Sequence, residues 1–400
     1  MAEGPWLTII GLGEDGPDGL PPASRAALER AEVVMGAARH LALLLPGLEA
    51  EVVEWPVPFA DGVPMLLALR GRRVVMLASG DPFWFGAGTS VTKHLEPGEW
   101  TALPSASTFS LAAARMGWPL ERATCLGLHA APLTRLRPHL APGARLIVLL
   151  RDGAAVGEMA GYLETQDFGA SRLTVLEALG GPRERRRDTP ALGFDLTDVA
   201  HPVAVAAEIA GDGVVVTRAS GVADELFAHD GQITKRPVRA LALSALAPRP
   251  GELLWDLGAG SGSIGIEWLL SHPDCSAIAV EANAERAANL RRNADRLGVD
   301  RLQLVEGKAE AVIPGLPAPQ AVFVGGGLSE NLLDAVWALM PSGCRLVAHA
   351  VTLESEALLA RWQGDKGGTL LRIELAEALP LGRKRGWKSA YPVVQWVVTR

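Results

Sequence analysis

The chain has 400 residues, of which 48% are hydrophobic and 21% charged, with a formal net charge of −7. The apolar content excludes a disordered chain and is enough for two folded domains. The acidic balance argues against a general nucleic-acid binder, which needs a basic face. Cys125, Cys275 and Cys344 are scattered with no CxxC pair. That argues against a zinc site, leaves no metal site to expect, and fits a reducing cytoplasm. The N-terminus MAEGPWLTII lacks the basic start and long apolar core of an export signal. No apolar run reaches the roughly 18 residues of a membrane span; the longest, near Leu41–Leu45, stops at Pro46. A soluble, cytoplasmic protein without a membrane partner is expected.

Taken in chain order, WLTIIGLG (6–13) predicts a strand entering a glycine turn, and SRAALERAEVVMGA (24–37) a helix running into a short strand. RRVVMLASGDP (72–82) is a strand stopped by Gly-Asp-Pro; ARLIVLL (144–150) and SRLTVLEAL (171–179) are two more strands. This alternation implies α/β layers with mainly parallel strands. From 181 to 230 the pattern weakens. GGPRERRRDTP is charged and turn-rich, and its Arg183–Arg187 run reads as solvated linker. The expected organisation is a domain over 1–210, a junction over 211–230 and a domain over 231–400.

The second domain begins with a helix at RPVRALALSAL (236–246) and a strand at ELLWDLG (252–258). A helix, SIGIEWLLS (263–271), follows the glycine turn, then a strand, SAIAVEA (276–282), and a helix, AERAANLRRNADRLG (284–298). AVFVGGG (321–327) and RLVAHAV (345–351) are later strands. The runs LLRIELAEALPL and YPVVQWVVT, joined by basic GRKRGWKS, predict a terminal hairpin on a parallel sheet. Such a hairpin is characteristic of one class of methyltransferase fold.

The densest chemical signal is LWDLGAGSGSIGIE (254–267), with Gly258, Gly260, Gly262 and Gly265 behind Asp256. These glycines let the backbone turn tightly and approach a ligand. The following helix points free N–H groups and partial positive charge at it. Both a nicotinamide dinucleotide and S-adenosylmethionine fit this frame. Asp256 either fixes the loop through backbone N–H groups or meets a ligand ammonium. Glu281, at the end of the next strand, suits the ribose hydroxyls of either cofactor. The fourth strand ends in Gly325–Gly327 with no acid, base or nucleophile, and no Asn/Asp-Pro-Pro-Tyr motif stands there. This glycine edge leaves room for a bulky planar substrate, for which Gly325 and Gly326 are candidates, and methyl transfer to a nucleophilic carbon demands placement above all. A dinucleotide-dependent oxidoreductase and a methyltransferase of nucleic acid or protein remain as alternatives at this point.

In the first domain IIGLGEDGPDGL (9–20), ASGDPFWFGAG (78–88) and LPSASTFSLAAARMG (103–117) are turns at strand ends, and together they outline a cleft. With SGDPFWFG and the Pro-Ser-x-Ser stretch this half resembles the tetrapyrrole methylase family. ITKRPVRALAL (233–243), LLWDLGAGSGSIGIEW (253–268), VEANAERAANLRRNADRLGV (280–299) and AVFVGGG resemble the decarboxylating precorrin methyltransferases. The resemblance implies an N-terminal two-lobed α/β tetrapyrrole methylase domain, followed by a Rossmann-like class I methyltransferase domain with a C-terminal antiparallel hairpin. It also implies two S-adenosylmethionine sites, one per domain. The matching positions are Gly80, Asp81, Ser107 and Thr108 in the first, and Thr234, Gly258, Ala259, Gly260, Ser261, Gly262, Glu281 and Ala309 in the second. Pro237 stands where that family usually has glutamate, in a first helical turn that tolerates proline.

The implied substrate is a polycarboxylate tetrapyrrole, precorrin-6B. It would be methylated at C5 by the first domain and at C15 by the second, with loss of the ring C acetate as carbon dioxide, to give precorrin-8. No catalytic acid or base is named by the sequence. Carboxylates need cationic partners, and Arg236, Arg239, Arg383, Lys384 and Arg385 are the candidates. His129, after a strand-like run, is the histidine of most interest. The eleven tryptophans, against two tyrosines, serve mainly as core. Relatives of both halves tend to self-associate, so a homo-oligomer is expected, with no nucleic-acid partner.

Overall fold

A computed structural model describes residues 4–44 and 48–400. The Pro46 end of the longest apolar run lies outside the described residues, and no helix among those described is long and apolar enough to cross a membrane. The chain divides into two compact units. One comprises the residues up to Leu133 together with His139–Val214, the other Thr134–Pro138 together with Val215–Arg400.

The first unit carries two sheets. Strands β1 (Leu7–Leu12), β2 (Val33–Gly36), β3 (Glu51–Glu54), β4 (Val74–Ser79) and β5 (Trp100–Leu103) form an all-parallel sheet in the order β3-β2-β4-β1-β5. Side chains alternate across a strand, so β1 sends Leu7 and Ile9 into one apolar cluster and Ile10 and Leu12 into another. Both faces are covered, as parallel sheets require. The second sheet comprises β6 (Thr124–Gly127), β7 (Arg145–Leu150), β8 (Arg172–Glu177), β9 (Arg185–Pro190) and β10 (Val203–Glu208), in the order β6-β7-β10-β8-β9. It is mixed: β10 runs antiparallel to both β7 and β8.

One expectation for this stretch is corrected. The basic run within 183–187 is not solvated linker, because Arg185–Pro190 is an edge strand. Arg185 and Arg187 there both pair with Glu177, a carboxylate only 1% exposed. Val203–Glu208, in the segment of weak pattern, is a central strand of valine and alanine ending in Glu208.

In the second unit β11 (Leu253–Leu257), β12 (Ser276–Glu281), β13 (Gln303–Glu306), β14 (Ala321–Val324) and β15 (Arg345–Ala350) are parallel. Past β15 come β16 (Thr369–Ile373), β17 (Ala376–Leu381), β18 (Lys384–Ser389) and β19 (Val393–Thr399). The seven-stranded order is β13-β12-β11-β14-β15-β19-β16, with β19 antiparallel to both neighbours. The expected terminal hairpin is therefore β16 with β19. Its connection is itself a two-stranded ribbon, β17 with β18, turning at Gly382-Arg383. Trp255, Trp268 and Trp396 are buried in this unit, and each gives its indole N–H to a backbone carbonyl (Pro317, Ser276 and Gly367).

The boundary between the units, at Val214 and Val215, falls within the expected junction at 211–230. Val216, Val222 and Phe227 are buried in the second unit's core. Gly221 and Val222 give their N–H groups to Glu267 at 2.7 and 2.9 Å. The segment from Val215 is the leading edge of the second fold, and its apolar side chains are too sparsely spaced to show a period. Pro237 lies in the first turn of the helix Arg236–Leu246, where its missing N–H costs no hydrogen bond.

Candidate functional sites

In the first unit Leu12, the last residue of β1, pairs with Ser79, the last of β4. Gly13-Glu14 and Gly80-Asp81 consequently leave the sheet side by side, at the carboxyl ends where α/β sheets bind ligands. Gly80 adopts φ +52°, and a Cβ there would come within 2.9 Å of the Ala106 carbonyl oxygen. The Gly80 carbonyl accepts the Ser105 N–H at 3.0 Å, tying the two turns together. Ser107 caps the helix Thr108–Met116, accepting the Ser110 N–H at 3.1 Å. Asp81 accepts the Phe83 N–H at 2.8 Å, an Asx-type turn that stiffens the loop.

These four positions line one cavity of about 530 Å³, within the range of small-molecule sites. Leu150, Leu176 and Val203 of the second sheet supply an apolar wall, and His129 and His201 also line it. Sequence reasoning missed a polar group here: Glu14, Arg39, His40 and Ser79 all face the cavity. Glu14 is 8% exposed and pairs with Arg39 and, at 3.0 Å, with Arg183. Arg39 Nη2 lies 2.9 Å from both His40 Nε2 and Ser79 Oγ. Burial, reinforced by the Arg39 charge, pushes His40 down to about 3. The only sequence signal was the GLGE turn and the ARHL segment, each ordinary when read alone.

In the second unit Leu257 pairs with Val280 on one side and Val324 on the other. The glycine loop, Glu281 and Gly325–Gly327 therefore emerge together. Gly258 (φ +66°) is indispensable to this crossing, since a Cβ would sit 2.5 Å from the Gly326 carbonyl oxygen. The glycine edge of β14 thus lets two loops touch backbone to backbone. A Cβ on Gly260, by contrast, would meet nothing within 4 Å, so the loop's apex faces open space. Glu281 accepts the Gly260 N–H and the Asn283 N–H, both at 2.8 Å, which leaves lone pairs on each oxygen for a ligand. Asn293 secures the loop from behind through the Ser261 carbonyl at 2.9 Å. Ala309 opens the short helix Ala309–Val312, and Gly307 just before it bonds the Glu281 carbonyl at 3.0 Å.

Asp256 is 1% exposed and accepts the Gly265 N–H at 2.9 Å through Oδ2, while its Oδ1 has no partner. Burial, reinforced by the Glu281 charge, pushes its carboxyl up to about 7. Of the two roles open to it, loop fixing is the one realised through Oδ2. These features fit S-adenosylmethionine: an open glycine apex, acceptors at the ribose position and an unsatisfied buried carboxylate oxygen beneath.

The expected substrate arginines separate. Arg239 is fully buried and is removed from that role. It donates to Glu267, to Asp224 at 3.0 Å, and to the carbonyls of Thr234 and Val222, with Phe227 stacked 4.9 Å away. A charge on a buried helix face needs such partners. Through them it anchors Thr234. Arg236 is exposed on the first helical turn; Arg383, Lys384 and Arg385 are exposed at the tip of the β17–β18 ribbon.

Two family models match in succession. Residues 6–193 match tetrapyrrole (corrin/porphyrin) methylases, and residues 225–400 match the precorrin methyltransferase domain. A Sinorhizobium sp protein named precorrin-6Y C(5,15)-methyltransferase (decarboxylating) is 49% identical over 400 residues, covering 99% of this chain and 97% of its own. A protein of the same name from Mycobacterium tuberculosis (strain ATCC 25618 / H37Rv) is 41% identical over 397 residues, covering 98% of this chain and 100% of its own. The crystal structure of the C-terminal domain of precorrin-6Y C5,15-methyltransferase from Rhodobacter capsulatus is 50% identical. It covers 46% of this chain and 100% of that one, with a TM-score of 0.45.

Proposed function

This chain belongs to the family of precorrin-6Y C5,15-methyltransferases (decarboxylating), and we propose that it works through two separate S-adenosylmethionine pockets, one in each unit. It is an S-adenosylmethionine-dependent methyltransferase of a precorrin tetrapyrrole that also removes a carboxyl group as carbon dioxide. The first unit methylates C5. The second methylates C15 and decarboxylates the ring C acetate, converting precorrin-6B to precorrin-8.

When bound, S-adenosylmethionine supplies an electrophilic methyl group on a sulfonium. In the first unit Gly80, Asp81, Ser107 and Thr108 would hold it. In the second, Gly258, Ala259, Gly260, Ser261 and Gly262 would hold it along the loop. Glu281 would take its ribose there, and Ala309 and Thr234, the latter on the segment that Arg239 anchors, would be further contacts. The residues at both sites are chiefly backbone and small side chains. Their contribution is orientation, which lowers a barrier by pre-paying entropy. Arg236, Arg383 and Arg385 are the cations offered to the substrate carboxylates in the second unit, with Gly325 and Gly326 giving the macrocycle room.

The observation that carries the two-pocket reading is that each unit has its own strand-end turn at which a glycine Cβ is excluded by backbone, at Gly80 and at Gly258. Calorimetric titration of the intact chain with S-adenosylhomocysteine tests it. Two equivalents are expected, with no heat from a nicotinamide dinucleotide; a single equivalent would reject it. Self-association and a cytoplasmic location complete the reading. Sedimentation analysis of the purified chain tests the former, since a monomer at all concentrations would remove it.

A further inference from the structure

The first unit's cavity holds a charged cluster that the cofactor positions do not use. Glu14 is nearly buried between two arginines, Arg39 and Arg183. An arginine can only donate. Because Arg39 Nη2 is 2.9 Å from His40 Nε2, that nitrogen is the acceptor and the imidazole is neutral. Ser79 Oγ lies 3.0 Å from the same nitrogen and 2.9 Å from Arg39 Nη2. Two arginines therefore share one carboxylate, and Arg39, 29% exposed, is the one of the two that lines the cavity. The other acid lining the cavity, Asp81, has Oδ1 committed to the Phe83 N–H. Beside His129, His201, Ser107 and Thr108, the rest of the wall is chiefly apolar and aromatic, including Trp84. A flat apolar ligand with a carboxylate edge matches this distribution of surface and charge.

We propose that Arg39 anchors a side-chain carboxylate of the tetrapyrrole in the first unit, with Arg183 as a second arm. Glu14, His40 and Ser79 are positioning residues: they pin the guanidinium at three points, so that little rotamer entropy is lost when the carboxylate arrives. Glu14 also competes for both arginines and so moderates their affinity for an incoming carboxylate. The inference rests on the tetrapyrrole reading above.

The test uses the intact chain and two probes, uroporphyrin as the free acid and as its methyl ester, followed by tryptophan quenching. A Trp84→Phe variant identifies the first unit's share of the signal. Arg39→Ala is expected to weaken free-acid binding there about tenfold, the loss of a charge-assisted hydrogen bond. Binding of the ester and of S-adenosylhomocysteine is expected to stay unchanged. Arg39→Lys restores part of the affinity, since the charge returns without the planar fork. Glu14→Gln tightens free-acid binding, an outcome that loss of structure would not produce. Arg39→Ala with unaltered free-acid affinity, or with acid and ester weakened alike, overturns the anchor while leaving the tetrapyrrole reading intact. A wild-type chain that binds neither probe overturns both.

Discussion

Arg239 and Glu267 form an ion pair shut off from solvent, their side chains 0% and 2% exposed. Glu267 also receives two backbone N–H groups from the segment at Gly221–Val222, and Arg239 reaches back to the Thr234 carbonyl. The pair therefore joins the start of the second unit to its first two helices. Removing one partner strands a buried charge, which costs about 3–5 kcal/mol. Glu267→Gln and Arg239→Met are each expected to lower the unfolding free energy of the second unit by that amount, read from its urea transition. Arg239→Lys does not rescue, because an ammonium cannot span the same set of acceptors. An unchanged midpoint would contradict the role.

Gly258 and Gly80 permit independent tests of the two pockets. At Gly258 a Cβ would strike the Gly326 backbone, in a left-handed conformation that side chains avoid, so Gly258→Ala costs about 1–3 kcal/mol locally. It is expected to remove one equivalent of S-adenosylhomocysteine from the calorimetric count. Gly80→Ala is expected to remove the other, and the double variant both. Either single variant abolishing all binding would show that the pockets are not independent.

Asp256 makes the stability of the second unit depend on pH. Its carboxyl sits at about 7 in the folded chain, raised chiefly by burial from an ordinary value of 3.8. Between those values the folded state holds a proton that the unfolded state has released. The contribution is thus complete below the lower value and is lost as pH rises through about 7. Asp256→Asn keeps an acceptor for the Gly265 N–H and does not titrate. The melting temperature of the wild type relative to Asp256→Asn is expected to fall from pH 5 to pH 8. A constant difference across that range would refute the shift.

The β17–β18 ribbon carries Arg383 and Arg385, both exposed to solvent. Exposed charges are screened by salt. Arg383→Ala with Arg385→Ala is expected to raise KM for the tetrapyrrole about threefold at low salt, with kcat and S-adenosylhomocysteine affinity unchanged. The effect should vanish in concentrated salt. A fall in kcat instead would place the ribbon in the chemical step.

The strand-turn-helix units around 6–13, 72–82 and 252–271 were legible because alternation of apolar residues and the placement of glycine are local properties. The two expected cofactor turns lie at strand ends for that reason. The burial of Arg239 was not legible: its partner Glu267 lies 28 residues away, and a charged residue on a helix shows nothing of what it meets. The same holds for Arg185 and Arg187, which read as linker until β9 pairs with β8 and brings Glu177 beneath them.

By itself the amino-acid order determined the two α/β repeats, their succession along the chain and the glycine turns that leave the backbone open. Those follow from conformational limits acting within a few residues. Tertiary structure alone decided which charges are buried, where the second unit begins, and that Glu14, Arg39 and Ser79 meet at one cavity wall. Such contacts arise only when strand register brings distant segments together, and electrostatics acts through space rather than along the chain.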